Sequence, residues 1–114
     1  MKILIVDDHA IVRRGLQQIL SDEYGEVEFG EASNAAEALQ QSHRAVWDVI
    51  ILDISMPGRS GLDVLKEIKR EQPATPILVL SMHPEDQLAT RVLKAGASGY
   101  MTKESATDEL VGLT

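Results

Sequence analysis

The sequence predicts an α/β domain in which a parallel sheet carries helices on both faces. Three observations lead there. The runs Ile3-Leu4-Ile5-Val6, Val49-Ile50-Ile51-Leu52 and Ile77-Leu78-Val79-Leu80 are continuously apolar and rich in β-branched residues. Strands buried on both faces have this composition, because neither face meets water. Segments with apolar residues at helical spacing lie between these runs. The resulting order is strand then helix, repeated five times, which implies right-handed crossovers and a sheet covered on both sides.

The elements follow in order. After Ile3–Val6, a helix is predicted from about His9 to Leu20, with Val12, Leu16, Ile19 and Leu20 on one face. Val27 to Gly30 alternates apolar and polar, as an edge strand does. Ala35, Ala38 and Leu39 mark a short second helix. Beyond Val49–Leu52, a third helix carries Leu62, Leu65, Ile68 and Lys69. Ser60 with Asp63 resembles a capping box at its start, and Pro73 and Pro76 close it. Beyond Ile77–Leu80, Leu88, Val92 and Leu93 form a fourth helix ended by Gly96. Gly99-Tyr100-Met101 is a weaker fifth strand. Ser105 with Asp108 opens a fifth helix bearing Leu110 and Val111, and the chain ends early in it. A helix that short covers the sheet poorly, and the exposed apolar surface invites self-association.

Bulk properties narrow the function classes. With 114 residues and no repeat or linker, residues 1–114 read as one domain. A composition of 44% hydrophobic and 25% charged residues is that of an ordinary globular protein. The net charge of −7 repels phosphate backbones, so nucleic-acid binding by this segment is not expected. Without cysteine, neither a disulfide framework nor a thiolate metal site is possible. Met1–Val6 carries one positive charge and a short apolar run that stops at two aspartates, which is not a signal peptide. No apolar stretch approaches the ~20 residues that span a bilayer. No membrane association and a cytoplasmic location are the expectations.

The residues that end each apolar run carry the chemistry. The first run ends in Asp7-Asp8, the second in Asp53, the third in Ser81 and the fourth in Thr102-Lys103. In open parallel sheets, ligands bind beyond the carboxyl ends of the strands, near the point where strand order reverses. Three carboxylates, a hydroxyl and an ammonium thus converge on one edge. Carboxylates brought close repel one another, and a hard divalent cation relieves the repulsion. An aspartate can act as a nucleophile and form an acyl phosphate. Phosphoryl transfer asks mainly for positioning and charge stabilisation, which a cation, Lys103 and the Ser81 hydroxyl can supply.

Those residues give the chain a resemblance, over essentially its whole length, to the receiver domain of two-component response regulators. The motifs that carry it are Leu4-Ile5-Val6-Asp7-Asp8, Leu52-Asp53-Ile54-Ser55-Met56-Pro57-Gly58, Leu80-Ser81 and Tyr100-Met101-Thr102-Lys103. The resemblance implies a flavodoxin-like (βα)5 fold with strand order 2-1-3-4-5. It implies Asp53 as phospho-acceptor, and Mg²⁺ bound by Asp8, Asp53 and the backbone carbonyl of Ser55, with Asp7 acting through water. It makes Ser81 and Tyr100 a switch pair and Lys103 the partner of the phosphoryl oxygens. Pro57 and Gly58 shape the loop after the acceptor. Ser81-Met82-His83 and Leu93 to Tyr100 further resemble the NarL/FixJ branch, whose members carry a LuxR-type helix-turn-helix after the receiver. That domain is not in these residues, so DNA binding belongs to a longer parent. A sensor histidine kinase is the implied phosphoryl donor, and dimerisation the usual readout.

Each residue alone has a plainer reading. Asp7 or Asp8 is a favoured helix N-cap, Ser81 a turn residue, Lys103 a solvated lysine and Tyr100 a strand aromatic with a wet hydroxyl. Their joint arrival at strand ends outweighs these. His9 and His83 stand near the expected site and could ligate a metal, but Mg²⁺ prefers oxygen, so both read as exposed loop residues. Met56, Met82 and Met101 read as packing elements, and Trp47 as a cover for the sheet edge. The expected function is a switch that assists its own phosphorylation, not an enzyme with an external substrate. Three alternatives stand beside it. An aspartyl-nucleophile phosphatase or phosphotransferase usually has a second acid two residues on and a longer chain. A flavin binder needs a hydroxyl- and glycine-rich phosphate loop where Asp7-Asp8 stands. The third is a receiver that works without phosphorylation. Met82 follows the switch hydroxyl where many receivers have a small residue, and its side chain is expected to narrow access to Asp53. Met82→Ala should therefore lose its phosphoryl group faster than the parent; an equal or slower rate would remove this role.

Overall fold

A computed structural model describes residues 1–55, 61–81 and 86–102, Asp86 by its backbone alone. Within them the order is β1 (Lys2–Val6), α1 (Ala10–Tyr24), β2 (Glu28–Ala32), α2 (Ala35–Ser42), β3 (Val49–Asp53), α3 (Gly61–Glu71), β4 (Ile77–Ser81), α4 (Asp86–Lys94) and β5 (Gly99–Thr102). The strands form one parallel sheet in the order β2-β1-β3-β4-β5. The strand–helix alternation and the strand order both match expectation. The expected fifth helix lies outside the described residues, as do the Ser60 cap and the Met56, Pro57, Gly58, Met82, His83 and Lys103 positions. Among the described residues, no helix is long and apolar enough to cross a membrane.

The continuous apolar runs feed two separate cores because successive strand residues point to opposite faces. Leu4, Val6, Ile50, Leu52, Ile77 and Val79 pack with Ala35, Ala38, Val64, Leu65, Ile68 and Val92 from α2, α3 and α4. Ile3, Ile5, Ile51, Leu80 and Met101 pack with Leu16 and Leu20 of α1. Ile3, Leu4, Ile5, Ile50, Ile51 and Leu52 are all fully buried, and burying such a side chain stabilises the fold by roughly 1.5–3 kcal/mol each. The central strands β1 and β3 are thus buried on both faces.

Two elements, β2 and α1, depart from the sequence reading by more than one residue. β2 runs from Glu28 to Ala32 instead of Val27 to Gly30, because its limits follow the β1 ladder from Lys2↔Glu28 to Val6↔Ala32. Val27 instead packs against the α1-side core. α1 continues past Leu20 to Tyr24, where Gly25 at φ +78 ends it and its N–H bonds the Ser21 carbonyl. A positive φ is costly for residues with a Cβ, so glycine sets this boundary.

Trp47 covers the sheet at its β2 edge, as expected. The residue is 8% exposed, and its Nε1 donates to the Gln41 carbonyl near the end of α2 at 2.9 Å. The indole lies so close over Gly30 that a Cβ there would overlap it. Gly30→Ala should therefore destabilise the fold by about 1–3 kcal/mol in urea unfolding. The loss should shrink in a Trp47→Leu background if the indole is the obstacle.

Candidate functional site

The site lies at the carboxyl edge of the two central strands. β1 is flanked by β2 on one side and β3 on the other, so the chain reverses its direction of strand addition between β1 and β3. Val6 pairs with Leu52, which sets Asp7 beside Asp53 at the end of the ladder. Both aspartates are 1% exposed. The Asp8 side chain is 26% exposed.

Each buried aspartate folds back onto the loop that follows it. Asp7 Oδ1 accepts from the His9 backbone N–H at 2.8 Å, and Asp53 Oδ1 from the Ser55 N–H at 2.8 Å. Such turns satisfy a loop amide and fix the carboxylate at once. The Asp7 backbone is held from two further sides. Its N–H donates to Ala32 O of β2 at 3.0 Å, and its carbonyl accepts from Arg13 Nη1 at 2.6 Å. Arg13 Nε in turn donates to Glu31 Oε1 at 2.9 Å, tying α1 to β2 beside the acid pair. The plain reading of Asp7 or Asp8 as N-cap does not hold. His9 occupies that position in an extended conformation, and its side chain makes no cap hydrogen bond.

Nearby, Asn34 caps α2 by accepting from the Glu37 N–H at 2.9 Å, while Glu37 Oε1 accepts from the Ser33 N–H and Oγ, both at 2.8 Å. These Ser33 hydrogen bonds, the backbone one foremost, lower the Glu37 pKa below the ordinary carboxylate value.

One ligand atom each from Asp7, Asp8, His9 and Asp53 lies within 4.8 Å of all the others. Asp8 Oδ1 is shielded from solvent and makes no well-aligned hydrogen bond among the described residues; His9 Nδ1 stands 3.1 Å away. Three clustered carboxylates with limited solvent access form a donor set that suits a hard divalent cation. The fit is therefore good for Mg²⁺, the ion expected from the sequence.

The remaining expected residues fall into three groups. Ser81 ends β4, 4% exposed and level with Thr102, and lies one residue beyond the Asp53↔Leu80 pair. Tyr100 is half-buried on β5 beside Val79 and packs against the core shared with α2, α3 and α4. Ser55 sits in the exposed turn after β3, its N–H on Asp53. Lys103 lies outside the described residues. Two further residues stand at the site. His9 was expected near it, as an exposed loop residue and not a ligand of Mg²⁺; its side chain is 62% exposed, and Nδ1 stands 3.2 Å from Asp7 Oδ1 and 3.1 Å from Asp8 Oδ1. Arg13 was not singled out; its position one helical turn after His9 is the only sequence signal for it.

A parallel sheet with clustered aspartates at its switch point and a hydroxyl on the next strand defines the receiver class of signalling domain. The chain belongs to the response regulator receiver domain family, whose model matches residues 3–114. It is 39% identical to the response regulator UvrY of Escherichia coli K12, over 97% of this chain and 51% of that protein. The chain thus spans about half the length of the curated relatives it matches. Among solved structures, a LuxR-family two-component response regulator from Aurantimonas sp. SI85-9A1 superposes with a TM-score of 0.89 at 35% identity, over 97% of this chain and 79% of that one. This agrees with the NarL/FixJ resemblance read from the sequence. A response regulator from Burkholderia pseudomallei, solved with a phosphorylated aspartic acid, calcium ion and citrate, superposes with a TM-score of 0.84 at 25% identity, over 97% and 64% of the two chains.

Arg13→Ala removes a charged, part-buried hydrogen bond to the Asp7 carbonyl, and should cost about 1.5–3 kcal/mol in urea unfolding. Glu31→Gln, which loses only a solvent-screened ion pair, should cost less than about 1 kcal/mol. Equal losses would mean that the ion pair, not the carbonyl contact, holds the turn.

Proposed function

We propose that this chain is a phosphorylation switch in which Asp53 accepts a phosphoryl group with the aid of Mg²⁺. The observation that carries this reading is the placement of Asp53, buried at the β1/β3 switch point, in one cluster with Asp7 and Asp8. A carboxylate oxygen of Asp53 attacks phosphorus as the donor's bond to phosphorus breaks. The donor is a phosphohistidine of a sensor kinase, whose imidazole leaves, or acetyl phosphate, which releases acetate. Asp7, Asp8, Asp53 and the Ser55 backbone carbonyl would hold the cation. When bound, the cation neutralises charge on the carboxylates and the phosphoryl oxygens.

The protein's own groups do the rest. The bond from the Ser55 N–H holds one Asp53 oxygen in place. The Ser81 hydroxyl donates to a phosphoryl oxygen, and Lys103 pairs with the phosphoryl charge. Phosphorylation adds roughly −1.5 to −2 charge at neutral pH and biases a two-state equilibrium. Movement of Ser81 and Tyr100 then reshapes the face of α4 and β5. The phosphorylated aspartate and calcium ion of the Burkholderia protein support this reading by similarity. In a longer parent, the switch would control dimerisation and a C-terminal helix-turn-helix that binds DNA. The domain would turn over no external substrate and would act in the cytoplasm.

Intact mass after incubation with acetyl phosphate tests the proposal. The chain should gain one phosphoryl group only when Mg²⁺ is present, and Asp53→Ala should gain none. Modification of the Asp53→Ala protein to the same extent would exclude Asp53 as acceptor.

A further inference from the structure

We propose that His9 contributes a nitrogen ligand to the cation held by Asp7, Asp8 and Asp53, so that the site favours borderline divalent ions over Mg²⁺ more than its carboxylates alone would. The inference rests on the preceding reading that these carboxylates hold a cation. Three features of His9 support it. It sits at the N-cap of α1 with an extended backbone, yet its side chain caps nothing. Its ring turns toward the acid pair, placing Nδ1 3.2 Å from Asp7 Oδ1 and 3.1 Å from Asp8 Oδ1. Its backbone is pinned on both sides, the N–H to Asp7 Oδ1 at 2.8 Å and the carbonyl to the Arg13 N–H at 3.1 Å.

The spacing suits coordination. Neighbouring vertices of an octahedron with bonds of about 2.1 Å are about 3 Å apart, and opposite vertices about 4.2 Å. The two short His9 separations match such edges, and no separation in the four-atom cluster exceeds 4.8 Å, about 0.6 Å beyond an opposite pair of vertices. With the ring 62% exposed, Nε2 is free to face water while Nδ1 faces the carboxylates. Imidazole binds Co²⁺, Ni²⁺ and Zn²⁺ well, while Mg²⁺ prefers oxygen and retains its water. One nitrogen among oxygens therefore shifts selectivity and leaves Mg²⁺ affinity nearly unchanged.

The same distances fit another role, in which Nδ1–H donates to the carboxylates and competes with any cation. The two roles predict opposite signs. As a ligand, His9 strengthens Co²⁺ binding selectively, so its removal weakens Co²⁺. As a competitor, it weakens every cation, so its removal strengthens Co²⁺ and Mg²⁺ together.

Calorimetric titration of the chain with CoCl2 and with MgCl2 at one fixed pH, with the visible absorption of Co²⁺ as a second readout, separates them. His9→Ala should weaken Co²⁺ binding about tenfold or more and Mg²⁺ binding less than about threefold, and His9→Gln should not restore Co²⁺ affinity. The Co²⁺ band should also be lost in Asp53→Asn, placing the ion in the acidic cluster. Unchanged Co²⁺ affinity in His9→Ala, equal weakening of both ions, tighter binding of both, or a Co²⁺ band that persists in Asp53→Asn would each overturn the proposal. Failure of the parent chain to bind either ion would instead overturn the cation site itself.

Discussion

Repulsion among three carboxylates at one point of the sheet is the constraint to which the rest of the molecule answers. Asp7, Asp8 and Asp53 each bring a ligand atom into a space no wider than 4.8 Å. Two like charges about 4 Å apart repel by roughly 4 kcal/mol near a protein surface. The strands beneath supply the opposing force. Six fully buried residues, Ile3, Leu4, Ile5, Ile50, Ile51 and Leu52, run below the site, and each stabilises the fold by roughly 1.5–3 kcal/mol. The unfavourable arrangement is therefore mounted on strands that are buried on both faces.

Local hydrogen bonds then decide how the charges are presented. The turns at Asp7 and Asp53 have the same form, a side-chain oxygen accepting the amide two residues on. One carboxylate oxygen is thereby fixed at each strand end, and the strand supplies the rigid mount. Arg13 extends the same control to the main chain by holding the Asp7 carbonyl. Its second bond, to Glu31, joins the edge strand β2 to the turn that carries the acid pair. The site thus draws on α1, β1, β2 and β3, and a disturbance at any of them reaches Asp7.

The chemistry is divided between the strands. β1 and β3 carry the charges, while β4 and β5 carry Ser81 and the half-buried Tyr100. Parallel pairing delivers the four strand ends to one edge, so the Ser81 hydroxyl ends β4 beside the strand that carries Asp53. The backbone arrangement is shared with a LuxR-family response regulator, with a TM-score of 0.89 at only 35% identity. At the rim of this site stands the exposed side chain of His9.

Much of this was legible in the sequence. β1, β3 and β4 announced themselves because strands buried on both faces must be apolar at every position, which leaves an unbroken run. Asp7, Asp8, Asp53 and Ser81 were legible because each stands directly after such a run. β2 was displaced, since an edge strand is delimited by its partner's ladder and not by its own composition. His9 and Arg13 illustrate the other limit. Local patterning places His9 in a loop and Arg13 on a helix, and neither position reveals an imidazole 3.1 Å from Asp8 or a guanidinium on the Asp7 carbonyl. The residue types, their order and the edge on which they meet follow from sequence, because strand periodicity is a local property. Which atoms of which neighbours face one another was decided by the three-dimensional structure, because even these short-range contacts depend on the angle at which α1 leaves β1.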